Sequence, residues 1–204
     1  MMAGVGVGEQ GSATMGQETK RPATYEDLLA LPDHVVGQLI DGELIVMPRP
    51  GSPHGIASYA LGSRLYGFQD SDEGPGGWWF IAEPELHFGK SVVIPDLAGW
   101  RWERMPEAPS GRYETLAPDW ICEVLSPSTS SLDRGRKKDL YAREGVGHLW
   151  LVDPVSRTLE VLQRRGAEWV ERGTYSGRER VRAEPFEALE LPLGALWPEK
   201  PRRP

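Results

Sequence analysis

The sequence predicts an α/β (α+β) fold, a mixed β-sheet flanked by helices. Three observations carry that prediction. Helical and strand patterns alternate along the chain in the order helix, hairpin, helix, strands, helix, strands. Asp41-Gly42 and Arg165-Gly166 each sit between two strand-like runs, the signature of a tight hairpin. Short apolar runs at 92–100, 120–125 and 149–152 read as buried strands.

The elements follow in order. Residues 1–20 are rich in Gly, Ser, Thr and Gln without apolar periodicity and read as a disordered leader. Gly4-Val5-Gly6-Val7-Gly8 has no preceding strand and no Lys-Ser/Thr, so it belongs to that leader and not to a phosphate loop. One domain is expected over 21–197, with 198–204 as a tail. Thr24 and Asp27 make a capping pair for a short helix that ends near Pro32. Val35 to Met47 reads as two strands about Asp41-Gly42, and 48–53 as a loop. His54 to Gln69 reads as a helix with Ala57, Ala60, Leu61, Leu65 and Phe68 on one face. Trp78–Phe88 and Ser91–Trp102 read as two long strands about Gly89-Lys90, and 105–113 as a surface loop. Ala117–Leu125 reads as a further strand. A helix capped by Ser130 follows, to about Glu144, with Gly145 as its stop. Leu149–Val152 is a buried strand, and 158–164 with 168–175 form the last hairpin.

Composition narrows the function. A net charge of -7 argues against broad, charge-driven binding of nucleic acid, although 133–138 is locally basic. One cysteine, Cys122, excludes an internal disulfide, and its apolar neighbours mark it as inert core. The four histidines are scattered, so no zinc pattern forms, and Ser126 is in no Gly-x-Ser-x-Gly elbow. No apolar run is long enough to span a bilayer, and the N-terminus lacks the pattern of a signal peptide. No membrane partner and a cytoplasmic location are expected.

Two carboxylates are out of place. Asp96 follows Pro95 in the apolar stretch "VVIPDLAGW", and Glu123 interrupts "WICEVL". Burying an unpaired charge costs about several kcal/mol, so each needs a partner. Alternation places Asp96 with Ile94 and Ala98, and Glu123 with Ile121 and Leu125. Neighbouring strands would bring both into one pocket, where mutual repulsion calls for a proton or a cation. Oxygen-only ligands suit Mg²⁺ or Mn²⁺. A lysine to stabilise developing charge has to come from the next helix, where Asp133, Lys137 and Tyr141 share a face and Lys138 points about 100° away. Lys137 is therefore the preferred candidate.

Pro95-Asp96 followed by Glu123-Val124-Leu125 resembles the PD-(D/E)xK nuclease pattern with its lysine displaced. "LIDGELIVMPRPGSPHG", "VIPDLAGW" and "CEVLSPSTSSLDRGRKKDLYAREGVGHLWLVDP" resemble the Uma2 family of restriction-endonuclease-like proteins over about 24–197. The resemblance implies a restriction-endonuclease-like core and Mg²⁺-dependent endonuclease activity on nucleic acid, with DNA as the expected substrate. It implies Asp96 and Glu123 as catalytic metal ligands, the Val124 carbonyl as a third ligand, Lys137 as the catalytic lysine, and a homodimer. Arg134, Arg136 and Lys138 would contact the phosphate backbone. Gln38 stands where related chains often carry a glutamate, which removes a charge and bears on any second metal site. Gln38, His54, Glu83 and Glu85 are accessory candidates.

Plainer readings stand beside these. Asp96 is also readable as a strand-end carboxylate that binds main-chain N–H groups, and Glu123 as half of a buried salt bridge to Lys137 or an arginine. His54 reads as a helix-start or packing residue, Glu83 and Glu85 as strand-edge charge, Asp133 as helix-start charge, and Tyr141 as core. A catalytically weak or inactive binding protein on the same fold is the rival function, and Gln38 and the acidic balance favour it.

Overall fold

The computed structural model describes residues 21–69, 72 and 74–199; the expected leader lies outside them. After a short helix α1 (Tyr25–Leu29), closed by a Thr24/Asp27 capping box, β1 (Val35–Ile40) and β2 (Glu43–Pro48) form the first hairpin. Asp41 and Gly42 both take positive φ, 54° and 80°, the conformation of a type I′ turn. Helix α2 (Ser52–Leu65) starts earlier than the pattern suggests, because Pro53 fits the first turn, where its missing N–H is not needed.

The two long strands expected at 78–88 and 91–102 are each broken. The first is split into β3 (Trp78–Ala82) and β4 (Leu86–Phe88), the second into β5 (Ser91–Val93) and β6 (Leu97–Arg101). Pro84 and Pro95 cannot donate to a ladder, and Glu83 takes φ of 51°, so pairing lapses on both strands at the same level. The Glu83 N–H donates to the Asp96 carbonyl across the break at 3.0 Å. The hairpin therefore crosses between two sheets. Its tip joins a four-stranded sheet in the order β2-β1-β5-β4. Its base joins a six-stranded sheet completed by β7 (Trp120–Val124), β8 (His148–Asp153), β9 (Thr158–Arg165) and β10 (Glu168–Ser176), in the order β10-β9-β8-β7-β6-β3.

β7 and β8 are parallel and all other neighbours in this sheet are antiparallel, so the sheet is mixed as expected. Parallel neighbours need a crossover, and the helical stretch between them supplies it. That stretch has three parts: α3 (Ser130–Leu132), a π-helical turn at Asp133–Lys137, and α4 (Lys138–Glu144). Gly145 ends it at φ of 92°, a left-handed stop. A two-stranded ribbon, β11 (Arg180–Val181) with β12 (Leu191–Pro192), closes the chain and was too short to read from its pattern.

The alternation along β7 divides the core. Trp120, Cys122 and Val124 pack with Leu61 and Leu65 of α2, Trp150 and Phe186. Ile121 and Leu125 pack with Leu140 and Tyr141 of α4, and with Ile40 and Val93 of the smaller sheet. Glu123 belongs by alternation to this second face. Full burial of Ile121, Val124 or Leu125 contributes about 1.5–3 kcal/mol each, enough together to offset a costly carboxylate in the same strand.

A Cβ at Gly99 of β6 would lie 2.9 Å from the Phe80 ring and 3.2 Å from Trp78. Phe80 is itself stacked on Trp78 at 5.9 Å and packed against Phe186 at 5.6 Å. Gly99→Ala is expected to lower stability by about 1–3 kcal/mol in chemical denaturation. An unchanged midpoint would show that the ring cluster yields freely.

Candidate active site

The broken hairpin leaves Asp96 at the foot of β6, next to β7, where Leu97 pairs with Cys122. Each Asp96 oxygen is held. The Val124 N–H donates to Oδ2 at 2.6 Å, and His54 Nε2, in the first turn of α2, meets Oδ1 at 2.8 Å. The strand that carries Glu123 thus anchors Asp96 through its own backbone. Gln38 is buried in β1 and accepts the Ile94 N–H at 3.1 Å, which fastens the main chain just before Pro95-Asp96.

Glu123 meets the crossover helix. Lys137 Nζ lies 2.7 Å from Glu123 Oε1, and both side chains are only 2 % exposed. Asp133 Oδ1 lies 3.3 Å from the same nitrogen and the Ile94 carbonyl 3.4 Å, so the three ammonium protons face three oxygens. The Tyr141 hydroxyl donates to Glu123 Oε1 at 2.5 Å. Glu123 lines a cavity shared with Asp96, Asp133, Lys137 and His54. The π turn spans Asp133 to Lys137, and such turns recur at functional sites.

The electrostatics follow from burial and from acid outnumbering base. Asp33, Glu83, Glu85, Asp96, Glu123 and Asp133 line the cavity, against Lys137, His54 and Arg49. Burial pushes Glu123 up to about 8, against the pull of Lys137 and with the push of Asp133 and Asp96. Burial would lower Lys137, but Glu123, Asp133 and Asp96 outweigh it and keep the amine a cation. His54 is likewise lowered by burial but raised overall by Asp96, with Asp133 and Glu83 adding to it. Burial and Glu123 push Tyr141 well up, so it stays a hydroxyl donor. The acids outnumber the bases here, and a further cation would lower the repulsion among them.

The donors fit a hard divalent ion. Among the described residues no three His, Cys, Asp or Glu side chains converge as a ready cage. Asp96 and Glu123 instead offer two carboxylates. Mg²⁺ commonly takes one or two, with water and phosphate oxygens filling the rest.

The contacts expected of the plainer reading are present: Asp96 does accept a main-chain N–H, and Glu123 does pair with Lys137. That reading does not account for the acidic cavity. Asp133, read as helix-start charge, is buried on Lys137, and His54, read as packing, touches Asp96. The shared face of 133, 137 and 141 was visible in the spacing; the approach of His54 depends on how α2 lies against the sheet.

Glu83 and Glu85 line the cavity, and Glu85 Oε1 is taken by the Tyr25 hydroxyl and His87 Nε2, each at 2.6 Å. Arg134, Arg136 and Lys138 do not line it. Arg134 is paired with Glu160 at 2.5 Å, Arg136 with Glu43 at 2.8 Å and with the Ile40 carbonyl, and the Lys138 carbonyl accepts the Trp169 indole N–H.

Lys137→Met would leave Glu123 and Asp133 buried together without their counter-charge. The variant is expected to lose about 3–5 kcal/mol at pH 8. Raised carboxyl proton affinities cost stability at high pH and less as pH falls, so part of the loss should return at pH 5. Denaturation midpoints at the two pH values check this; an equal loss at both would point to packing.

Residues 23–194 match the Uma2 family, described as putative restriction endonuclease. A comparison with curated proteins gives no match. Among solved structures, a putative nuclease belonging to DUF820 from Anabaena variabilis ATCC 29413 superposes with a TM-score of 0.69 at 23% identity, covering 86% of this chain and 98% of that one. The two chains share a fold. The family match runs from α1 through β12, and so takes in both sheets, the broken hairpin and the crossover helix between β7 and β8: the chain belongs to the Uma2 family.

Proposed function

We propose that this protein is a metal-dependent nuclease that hydrolyses phosphodiester bonds in nucleic acid, with DNA as the expected substrate. The observation that carries the reading is Lys137 Nζ held at 2.7 Å from Glu123, on the strand whose backbone grips Asp96. The family description and the likeness to a protein described as a nuclease support it. Asp96, Glu123 and the Val124 carbonyl would hold Mg²⁺ or Mn²⁺, which when bound supplies Lewis-acid polarisation of a phosphoryl oxygen and a more acidic water.

The chain's own residues do the rest. Lys137 presents a fixed ammonium beside the reacting phosphate, where it offsets developing charge; to orient the attacking water it must give up the Ile94 carbonyl, its longest contact at 3.4 Å. Asp133 and Tyr141 restrain the Lys137–Glu123 pair, so little reorganisation is needed during reaction. His54 and the Val124 N–H orient Asp96. Gln38 serves the main chain at Ile94 and brings no charge, which favours a single-ion site. The same neutrality also favours the rival, a binding protein without cleavage. For Arg134 and Arg136 to reach the flanking backbone they must exchange Glu160 and Glu43 for phosphates.

The test is cleavage of single- and double-stranded DNA and RNA in Mg²⁺ and Mn²⁺, with chelator controls. Wild type should cut, Asp96→Asn and Glu123→Gln should not, and Lys137→Ala should be slower by about 10²–10³-fold. Equal cleavage by all four proteins would place the chemistry elsewhere, and cleavage by none favours the binding protein.

A further inference from the structure

The cavity holds the acidic group recessed beneath the surface, at its floor, with Glu123 and Lys137 each 2 % exposed. Its volume is about 440 Å³, within the roughly 300–1,000 Å³ that encloses ligands of drug size. One nucleotide is a ligand of that size, and a base pair with both backbones is not. Above the floor one wall is apolar, formed by Leu28 of α1, Leu31 just after it, Val36 of β1, Met47 and Pro48 of β2, and Pro50. An apolar wall has no use for a phosphate, but it suits the face of a base, and a methionine adapts to flat ligands.

The cations repeat the pattern. Among the described residues three basic side chains line the cavity, and two of them, Lys137 and His54, already face carboxylates. Arg49 makes no ion pair among the described residues: its Nε and Nη2 donate to the Asp33 carbonyl at 3.2 and 2.8 Å, which fixes the guanidinium and leaves its charge unpaired there. Pro48 and Pro50 on either side stiffen the backbone that presents it. A pre-positioned, un-neutralised guanidinium is a phosphate ligand. Elsewhere Arg134, Arg136 and Arg143 are paired with Glu160, Glu43 and Asp41, so these arginines of the crossover helix must exchange partners before they meet a long duplex.

We propose that the cavity receives one unstacked nucleotide of a single-stranded segment or strand end, its base against the apolar wall, its scissile phosphate at the acidic floor and a neighbouring phosphate on Arg49. This rests on the nuclease reading above. A continuous duplex keeps its phosphates on a stiff cylinder and reaches a floor this deep only by extruding a nucleotide, which costs about a few kcal/mol and least where the strand is already unpaired.

The test is fluorescence anisotropy with fluorescein-labelled DNA of about 12 nucleotides, as a single strand and as a blunt duplex. Calcium, an oxygen-seeking cation, is present throughout. The proteins are wild type, Arg49→Ala, Arg49→Lys and Arg165→Ala, the last an exposed arginine outside the cavity. The single strand should bind about tenfold tighter than the duplex. Arg49→Ala should lose about tenfold, the equivalent of one charge-assisted contact. Arg49→Lys should fall between, Arg165→Ala should match wild type, and circular dichroism melts should show Arg49→Ala folded. Equal or tighter duplex binding, no binding of either form, or Arg49→Ala behaving as Arg165→Ala overturns the proposal. Parallel incubation in magnesium separates it from the reading beneath it. Single-strand binding that depends on Arg49 without cleavage rejects the nuclease and keeps the ligand class. Cleavage of blunt duplex as fast as single strand keeps the nuclease and overturns the ligand class.

Discussion

The buried contact between Glu123 and Lys137 is the interaction on which the rest of the structure depends. A carboxylate in the middle of a central strand is tolerable only if an oppositely charged group follows it inside, and removing either partner leaves a charge in a medium that cannot solvate it. The pair also does more than neutralise itself. Asp133 shares the same ammonium, and Asp96 lies on the adjoining strand, so the group as a whole remains acidic around one fixed cation. A fold shaped for stability alone would fill this position more cheaply with apolar side chains. Its persistence here makes chemical sense if a divalent ion and a phosphate complete the charge balance.

A second constraint is geometric. Two prolines, Pro84 and Pro95, interrupt facing strands at one level, and the hairpin passes from the larger sheet into the smaller one. Continuous pairing there would have closed the floor of the cavity with backbone. The interruption instead opens a gap whose rim carries Glu83, Glu85 and Asp96, and Gln38 ties the smaller sheet to the loose end at Ile94. The Gln38 amide is enough for this tie, since only a carbonyl oxygen is needed to accept the N–H.

Much of this was legible in the sequence. Glu123 announced itself as a charge inside an apolar run, Pro95-Asp96 as its counterpart, and Lys137 as the helical lysine sharing a face with Asp133 and Tyr141. These are local signals, set by periodicity and by the cost of burying charge. The breaks at Pro84 and Pro95 were written in residues that cannot pair, yet strong β-propensity on both sides concealed them. Other features depend on packing between distant segments. His54 reaches Asp96 because α2 lies across the larger sheet, Arg134 and Arg136 are occupied by glutamates from distant strands, and Arg49 is set by the carbonyl of Asp33. No spacing rule reports such contacts, because each is decided by where whole elements come to rest.

Whether a divalent ion completes the acidic group is read most directly from an anomalous difference map of wild-type crystals soaked in Mn²⁺. The expected result is a peak about 2 Å from oxygens of both Asp96 and Glu123, with Lys137 still beside Glu123. A map with no peak at that position, or with manganese only on other carboxylates, would contradict it and leave Glu123 and Lys137 as a structural pair.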